Sequence, residues 1–164
     1  MMTTPDYVFW DFAGVDGLQA AIALFSPAVN RIAPFQSLTT SFDDQPCSVL
    51  RLCENNFRVA LPADETAKTR GLRRAITDLN LEVWSKPCSA ASFVVSPELG
   101  LARLGEISIA KPPHQLEGFM CDRAVPARIE GIAILAWHHL WCDRPTLTIQ
   151  TAHSNIKKIR QAFL

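Results

Sequence analysis

The apolar residues of this chain change their period along its first half in a fixed order, and that order limits what the half can fold into. Between residues 6 and 87 the pattern reads strand, helix, strand, strand, helix, strand, over Asp6–Phe12, Gly17–Phe25, Ser48–Leu52, Phe57–Leu61, Glu65–Leu79 and Leu81–Ser85. Tyr7-Val8-Phe9-Trp10 is rich in aromatic and β-branched residues that suit a pleated surface, and Gly14 and Gly17 punctuate the turn after it. Leu18, Ala21, Ile22 and Phe25 then recur at helical spacing, with Asp16 at the positive helix end and Pro27 as a stop. Glu54-Asn55-Asn56 has the composition of a hairpin loop, and Pro62 ends the strand that follows. In the second helix Leu72, Ala75, Ile76 and Leu79 form one apolar stripe, which leaves Lys68, Arg70, Arg73 and Arg74 as a solvated face.

A βαββαβ order builds a split-βαβ, ferredoxin-like antiparallel sheet. The expected class is therefore α+β: a ferredoxin-like half over 1–88, with further strands and helices over 89–164 packed against it as one compact domain. With 48% of its residues apolar, the chain can bury a substantial core. In the second half, Ser92–Ser96 and Glu106–Ala110 read as strands separated by Pro97-Glu98-Leu99-Gly100, and 111–126 reads as an irregular connection. Ile129, Ile132, Ala133, Ala136, Trp137 and Leu140 match a helix template, while Ile132 and Ile134 alternate with smaller residues as in a buried strand. The helix is the preferred of the two. Thr146–Gln150 reads as a strand, and Ser154 is placed to cap a last helix carrying Ile156, Ile159 and Phe163 on one side.

Sixteen basic residues balance sixteen acidic ones, which removes the positive field that backbone-driven nucleic-acid binding needs. The longest apolar run, Ile129 to Trp141, contains Glu130 and two histidines and is too short to cross a bilayer, so no membrane association is expected. No lysine or arginine precedes Arg31, as a secretory or transit segment would require. Cys47, Cys53, Cys88, Cys121 and Cys142 are an odd, scattered set without a C-x-x-C pair, which fits reduced thiols in the cytoplasm.

The densest group of reactive side chains is Trp137-His138-His139-Leu140-Trp141-Cys142-Asp143. On a helix, His138 with Cys142 and His139 with Asp143 would each share a face, able to hold a metal or to set a base beside its orienting carboxylate. On a strand those pairs dissolve. A further ligand would have to come from His114, Cys121, Asp122 or His153, and no pattern names a particular metal or cofactor. Cys121-Asp122-Arg123 offers a second chemistry, a thiol whose neighbouring arginine favours the thiolate. The carboxylate pairs Asp43-Asp44 and Asp64-Glu65 stand where turns or helix starts are expected. Gly14-Val15-Asp16-Gly17 follows a strand and opens a helix, so its backbone N–H groups could receive an anion. Asp16 opposes phosphate, and the motif lacks both the lysine of a P-loop and the third glycine of a dinucleotide fingerprint. A ligand with its own amino group, such as an amino acid, suits it better.

The strand-turn-helix from Tyr7 to Phe25, with Gly17-Leu18 opening the helix and Ala21-Ile22-Ala23-Leu24-Phe25 following, resembles the opening of an ACT domain. That resemblance implies a βαββαβ regulatory module that binds small effectors at the glycine turn, commonly between two copies. Gly17 matches the family's glycine, and Asn30 would stand for the asparagine at the start of the second strand. Val15-Asp16 replaces the usual arginine and proline, and Arg31 the usual apolar neighbour. The functional expectation is a non-catalytic sensing or protein-interaction module, as a homodimer, with Asp11, Gly14, Asp16, Gly17 and Asn30 facing a small metabolite. The alternatives are a small enzyme or metal-binding protein using His138 or His139 with Asp143, Cys142 or Cys121, and an inhibitor or immunity-type protein that binds a partner.

Overall fold

The computed structural model describes residues 2–63 and 66–164, the side chains of 66–70 excepted. In order it comprises β1 (Met2–Thr3), β2 (Tyr7–Ala13), α1 (Gly17–Leu24), β3 (Ser37–Phe42), β4 (Gln45–Cys53), β5 (Asn56–Pro62), α2 (Thr66–Asp78) and β6 (Trp84–Pro87). There follow β7 (Ala91–Val95), α3 (Pro97–Ile107), β8 (Ser108–Ala110), β9 (Arg123–Ile129), β10 (Ile132–Trp141), β11 (Arg144–Thr151) and α4 (Ile156–Ala162). Two compact units result: Asp6–Cys88, and the residues up to Pro5 together with Ser89–Leu164.

In the unit Asp6–Cys88 the sheet order is β3-β4-β5-β2-β6, antiparallel throughout. Without β3 this is the ferredoxin-like order that the βαββαβ pattern predicts. The edge strand β3 is an addition, because Ser37-Leu38-Thr39-Thr40-Ser41-Phe42 carries too few apolar residues to show a clear alternation. Asp43 and Asp44, at φ 51° and 59°, form the turn that pairs β3 with β4, so β4 starts at Gln45 instead of Ser48. The last strand also moves, from the expected Leu81–Ser85 to β6. Glu82 bonds to Asp16 through its backbone N–H and C=O, and ladder pairing with β2 begins only at Trp84. Asp64 and Glu65 lie outside the described residues.

The core of this unit joins Phe12, Phe57, Val49, Val59 and Leu61 from the sheet to Ala20 and Ala21 of α1 and Leu72 and Ile76 of α2. Phe12 stacks on Phe57 at 5.3 Å and on Phe25 at 5.9 Å. α1 enters this core very close to the hairpin between β4 and β5: a Cβ on Gly17 would come 2.0 Å from the carbonyl oxygen of Asn55. The Asn55 side chain in turn accepts the Leu18 N–H at 3.0 Å.

In the second unit the sheet order is β1-β7-β11-β10-β9-β8, again antiparallel. Here the preferred helix over 129–141 is corrected. β10 is a strand paired on both edges, and two-residue turns with positive φ at Glu130-Gly131 and Cys142-Asp143 bound it. Ile134, Ala136 and His138 lie on one face and Trp137, His139 and Trp141 on the other, all buried. A strand buried on both faces gives a continuous apolar run, which periodicity cannot separate from a buried helix.

The segment read as a loop at Pro97-Glu98-Leu99-Gly100 opens α3, whose start carries proline at N1 and an acidic residue in its first turn. α3 runs to Ile107 and leaves only Ser108–Ala110 of the strand expected at Glu106–Ala110. β9 begins at Arg123, so the irregular connection ends before the expected Pro126. Ser154 falls in a 3-10 turn, His153–Asn155, and the last helix starts after Asn155 without a side-chain cap. α3 packs against β11, where a Cβ on Gly100 would meet Leu147 Cδ2 at 2.6 Å. No described helix is long and apolar enough to cross a membrane, and no disulfide joins any of the five cysteines.

Two glycines give opposite expectations. Gly17→Ala forces a side chain onto backbone and should cost about 1–3 kcal/mol or more. Gly71→Ala, in α2 with open space around it, should gain up to about 1 kcal/mol. Urea denaturation of both variants measures the two signs.

Candidate functional site

Because β10 is a strand, adjacent side chains leave it in opposite directions, and its two histidines enter different surroundings. His139 is fully buried. Its ring stacks on Trp137 at 4.1 Å, and Nε2 lies 3.1 Å from Thr148 Oγ1 on β11. Burial holds its pKa down to about 3, with a smaller lowering from His138 and an opposing backbone contribution from Leu140. This imidazole is neutral at ordinary pH.

His138 is 8% exposed, and neither of its ring nitrogens has a hydrogen-bond partner. Phe119, from the irregular connection, meets the ring edge-on at 5.8 Å. On the same side, His138 lines a cavity of about 410 Å³ with Pro97, Glu98, Leu101 and Pro145. The first turn of α3 thus lies beside an imidazole without a partner.

The metal and base pairings expected of a helix do not form. Four residues along a strand span roughly 13 Å, and Cys142 and Asp143 sit on the exposed turn beyond the end of β10. His114 is partly buried in the irregular connection, and His153 is exposed in its 3-10 turn. Among the described residues no group of three or more His, Cys, Asp or Glu side chains is placed to hold a metal ion. Cys121 is partly buried, and burial first, then the Asp122 carboxylate, push its thiol pKa up. That is opposite to the activation expected from Arg123, which is exposed.

The turn after β2 is held from within the chain. Asp11 lies on β2 facing Arg58 of β5, with a two-point ion pair at 2.7 and 3.1 Å. Asp16 makes no helix-capping bond, and its Oδ2 instead accepts the Glu82 N–H at 2.9 Å. Gly14, at φ 150°, passes so close to the Glu82 carbonyl that a Cβ would lie 2.2 Å from its oxygen. Gly14, Asp16 and Gly17 therefore share one turn clasped by Glu82 and Asn55. Asn30 is exposed in a separate 3-10 turn, Pro27–Arg31, and the next strand begins only at Ser37.

The grip of Glu82 and Asn55 on the glycine turn has no local signal because each reaches it across a long sequence separation, and the pairing of Thr148 with His139 follows only from the register of β10 with β11. The approach of α3 to His138 had a local signal, the Ser96-Pro97-Glu98 helix start.

No family model and no curated protein matches the chain. Its fold is similar to that of the glycine cleavage system aminomethyltransferase T from Bartonella henselae, at a TM-score of 0.77 and 10% identity over 99% of this chain. It is also similar to a chain of the heterotetrameric sarcosine oxidase from Corynebacterium sp. U-96 in complex with pyrrole 2-carboxylate, at a TM-score of 0.67 and 14% identity over 99% of this chain. The chain spans 45% of the first of these and 80% of the second. At such identities the likeness is one of fold.

His139 makes stability depend on acid. Its folded pKa lies below the ordinary 6.5, so its contribution is complete above that value and is lost as pH falls toward about 3. Denaturant midpoints measured from pH 7 to pH 4 should fall, with this group costing on the order of 1 kcal/mol per pH unit over the lower part of the range. His139→Gln should flatten that slope by close to one proton.

Proposed function

We propose that the chain is a non-catalytic protein-interaction subunit that binds an enzyme chain within a larger assembly. The separation of its reactive side chains carries this reading. His139 is sealed beside Trp137, His138 leaves the opposite face, Cys142 and Asp143 ride an exposed turn, and the Cys121 thiol is raised. The fold comparisons support it from another direction. The same fold occupies less than half of the aminomethyltransferase chain, and the other similar structure is a heterotetrameric enzyme.

An anchor for such a partner is available in the unit Asp6–Cys88. Val15 is 75% exposed at the clasped turn, and Trp84 is 49% exposed on edge strand β6, two residues from Glu82. Lys86 Nζ stands 5.1 Å from the centre of the Trp84 ring. An exposed tryptophan with a cation at its face is the kind of residue that dominates interface energies.

The chain, tagged and isolated at native levels from its source, should elute with an enzyme chain in fixed stoichiometry and show no turnover alone. The double variant Val15→Ser, Trp84→Ala should elute free of that enzyme, with its own stability changed by no more than about 0.5 kcal/mol. Elution of the native chain as a monomer or as a dimer of itself would contradict the proposal.

A further inference from the structure

The cavity beside His138 combines three features that no fold requirement explains. The first is the imidazole itself. A polar side chain that is more than nine-tenths buried normally finds a partner, and one that does not calls for an explanation. The second is the start of α3. Gly100 N–H bonds back to the Ser96 carbonyl, so the N–H groups of Glu98 and Leu99 precede the helical ladder and have no acceptor within the helix. The Ser96 side chain forms no capping bond to them. The third is the wall of the cavity, where Pro97, Leu101 and Pro145 are apolar and Glu98 adds one carboxylate.

The close seating of α3 holds these features together. Gly100 approaches Leu147 and Val95 as no larger residue could without a shift, and Leu147 is the ladder partner of His138 on the neighbouring strand. That contact brings the positive end of α3 over the same part of the sheet as the imidazole. At about 410 Å³ the cavity falls within the range of small-molecule sites, near its lower end.

We infer that this cavity binds a small amino acid as its zwitterion. The carboxylate meets the first-turn N–H groups of α3 and an N–H of His138, the ammonium faces the Glu98 carboxylate, and an apolar side chain lies against Leu101 and Pro145. Each group of the ligand thereby answers one feature of the cavity. A phosphate or a simple carboxylate would leave Glu98 opposed to it, and an amine alone would leave the amides and the imidazole unanswered. The cavity is built from residues of the unit Ser89–Leu164 alone, so the inference does not rest on the proposed partner binding through Trp84.

Calorimetric titration and thermal melts of the full chain test it with L-valine, L-leucine and L-proline. They are set beside the separated halves of valine, 3-methylbutanoate and 2-methylpropylamine. At least one amino acid should saturate at millimolar concentration and raise Tm. Where that amino acid is valine, each half-molecule should bind about tenfold more weakly or worse. His138→Phe, which keeps a ring against Phe119, should raise the Tm of the free protein and weaken amino-acid binding by about tenfold or more. Glu98→Gln, at an exposed position, should erase the preference for valine over 3-methylbutanoate. Saturation by none of the three amino acids would overturn the inference. So would binding that is unchanged in both variants. Should His138→Phe fail to fold, the Glu98→Gln comparison decides alone.

Discussion

The two-sided burial of β10 is the constraint on which the unit Ser89–Leu164 depends. The strand is paired along both edges, and both of its faces are buried from Ala136 to His139. Each buried side chain on it must therefore be apolar, hydrogen-bonded, or left without a partner at a cost. Ile134 and Ala136 meet the first condition, and His139 meets the second through Thr148. His138 meets neither, which makes it the exception on this strand and asks for a functional reason. The same alternation separates the two histidines and removes the shared metal or acid–base site that a helix would have built.

Close backbone approach plays the equivalent part in the unit Asp6–Cys88. Gly17 lies against the Asn55 carbonyl and Gly14 against that of Glu82, so the turn after β2 is gripped from two directions. Asp16 completes the grip by accepting the Glu82 N–H. The glycines and the aspartate that resemble an effector-binding turn thus have structural partners inside the chain. Only Val15 is turned out from this turn, and with Trp84 it gives the unit an apolar feature that a second protein could cover.

Much of the first unit was legible because its signals are local. Helical spacing from Leu18 to Phe25, the loop at Glu54-Asn55-Asn56 and the stripe from Leu72 to Leu79 each report their own element, and their order yields the ferredoxin-like sheet. β3 was hidden because a polar edge strand shows little alternation, although Asp43-Asp44 marked its hairpin. The second unit was less legible for a physical reason. Burial on both faces erases the period of β10, and the Ser96-Pro97-Glu98 start of α3 looks like a turn until its continuation is known. His138 stands among the candidates in the sequence, but its grouping with Glu98, Leu101 and Pro145 does not show there. Which face a residue occupies depends on whether the chain repeats every two residues or every 3.6.

The central claim is that His138 and His139 occupy separate surroundings on opposite faces of one strand, His139 sealed and His138 beside a cavity. It is tested most directly by the imidazole nitrogen resonances of uniformly 15N-labelled protein, recorded from pH 7 to pH 4 and again with one equivalent of Zn²⁺. The account predicts that His139 keeps one neutral tautomer down to pH 4, its pKa being held to about 3, and that zinc does not shift the two rings together. Titration of His139 near its ordinary 6.5, or a common shift of both imidazoles on adding zinc, would contradict it.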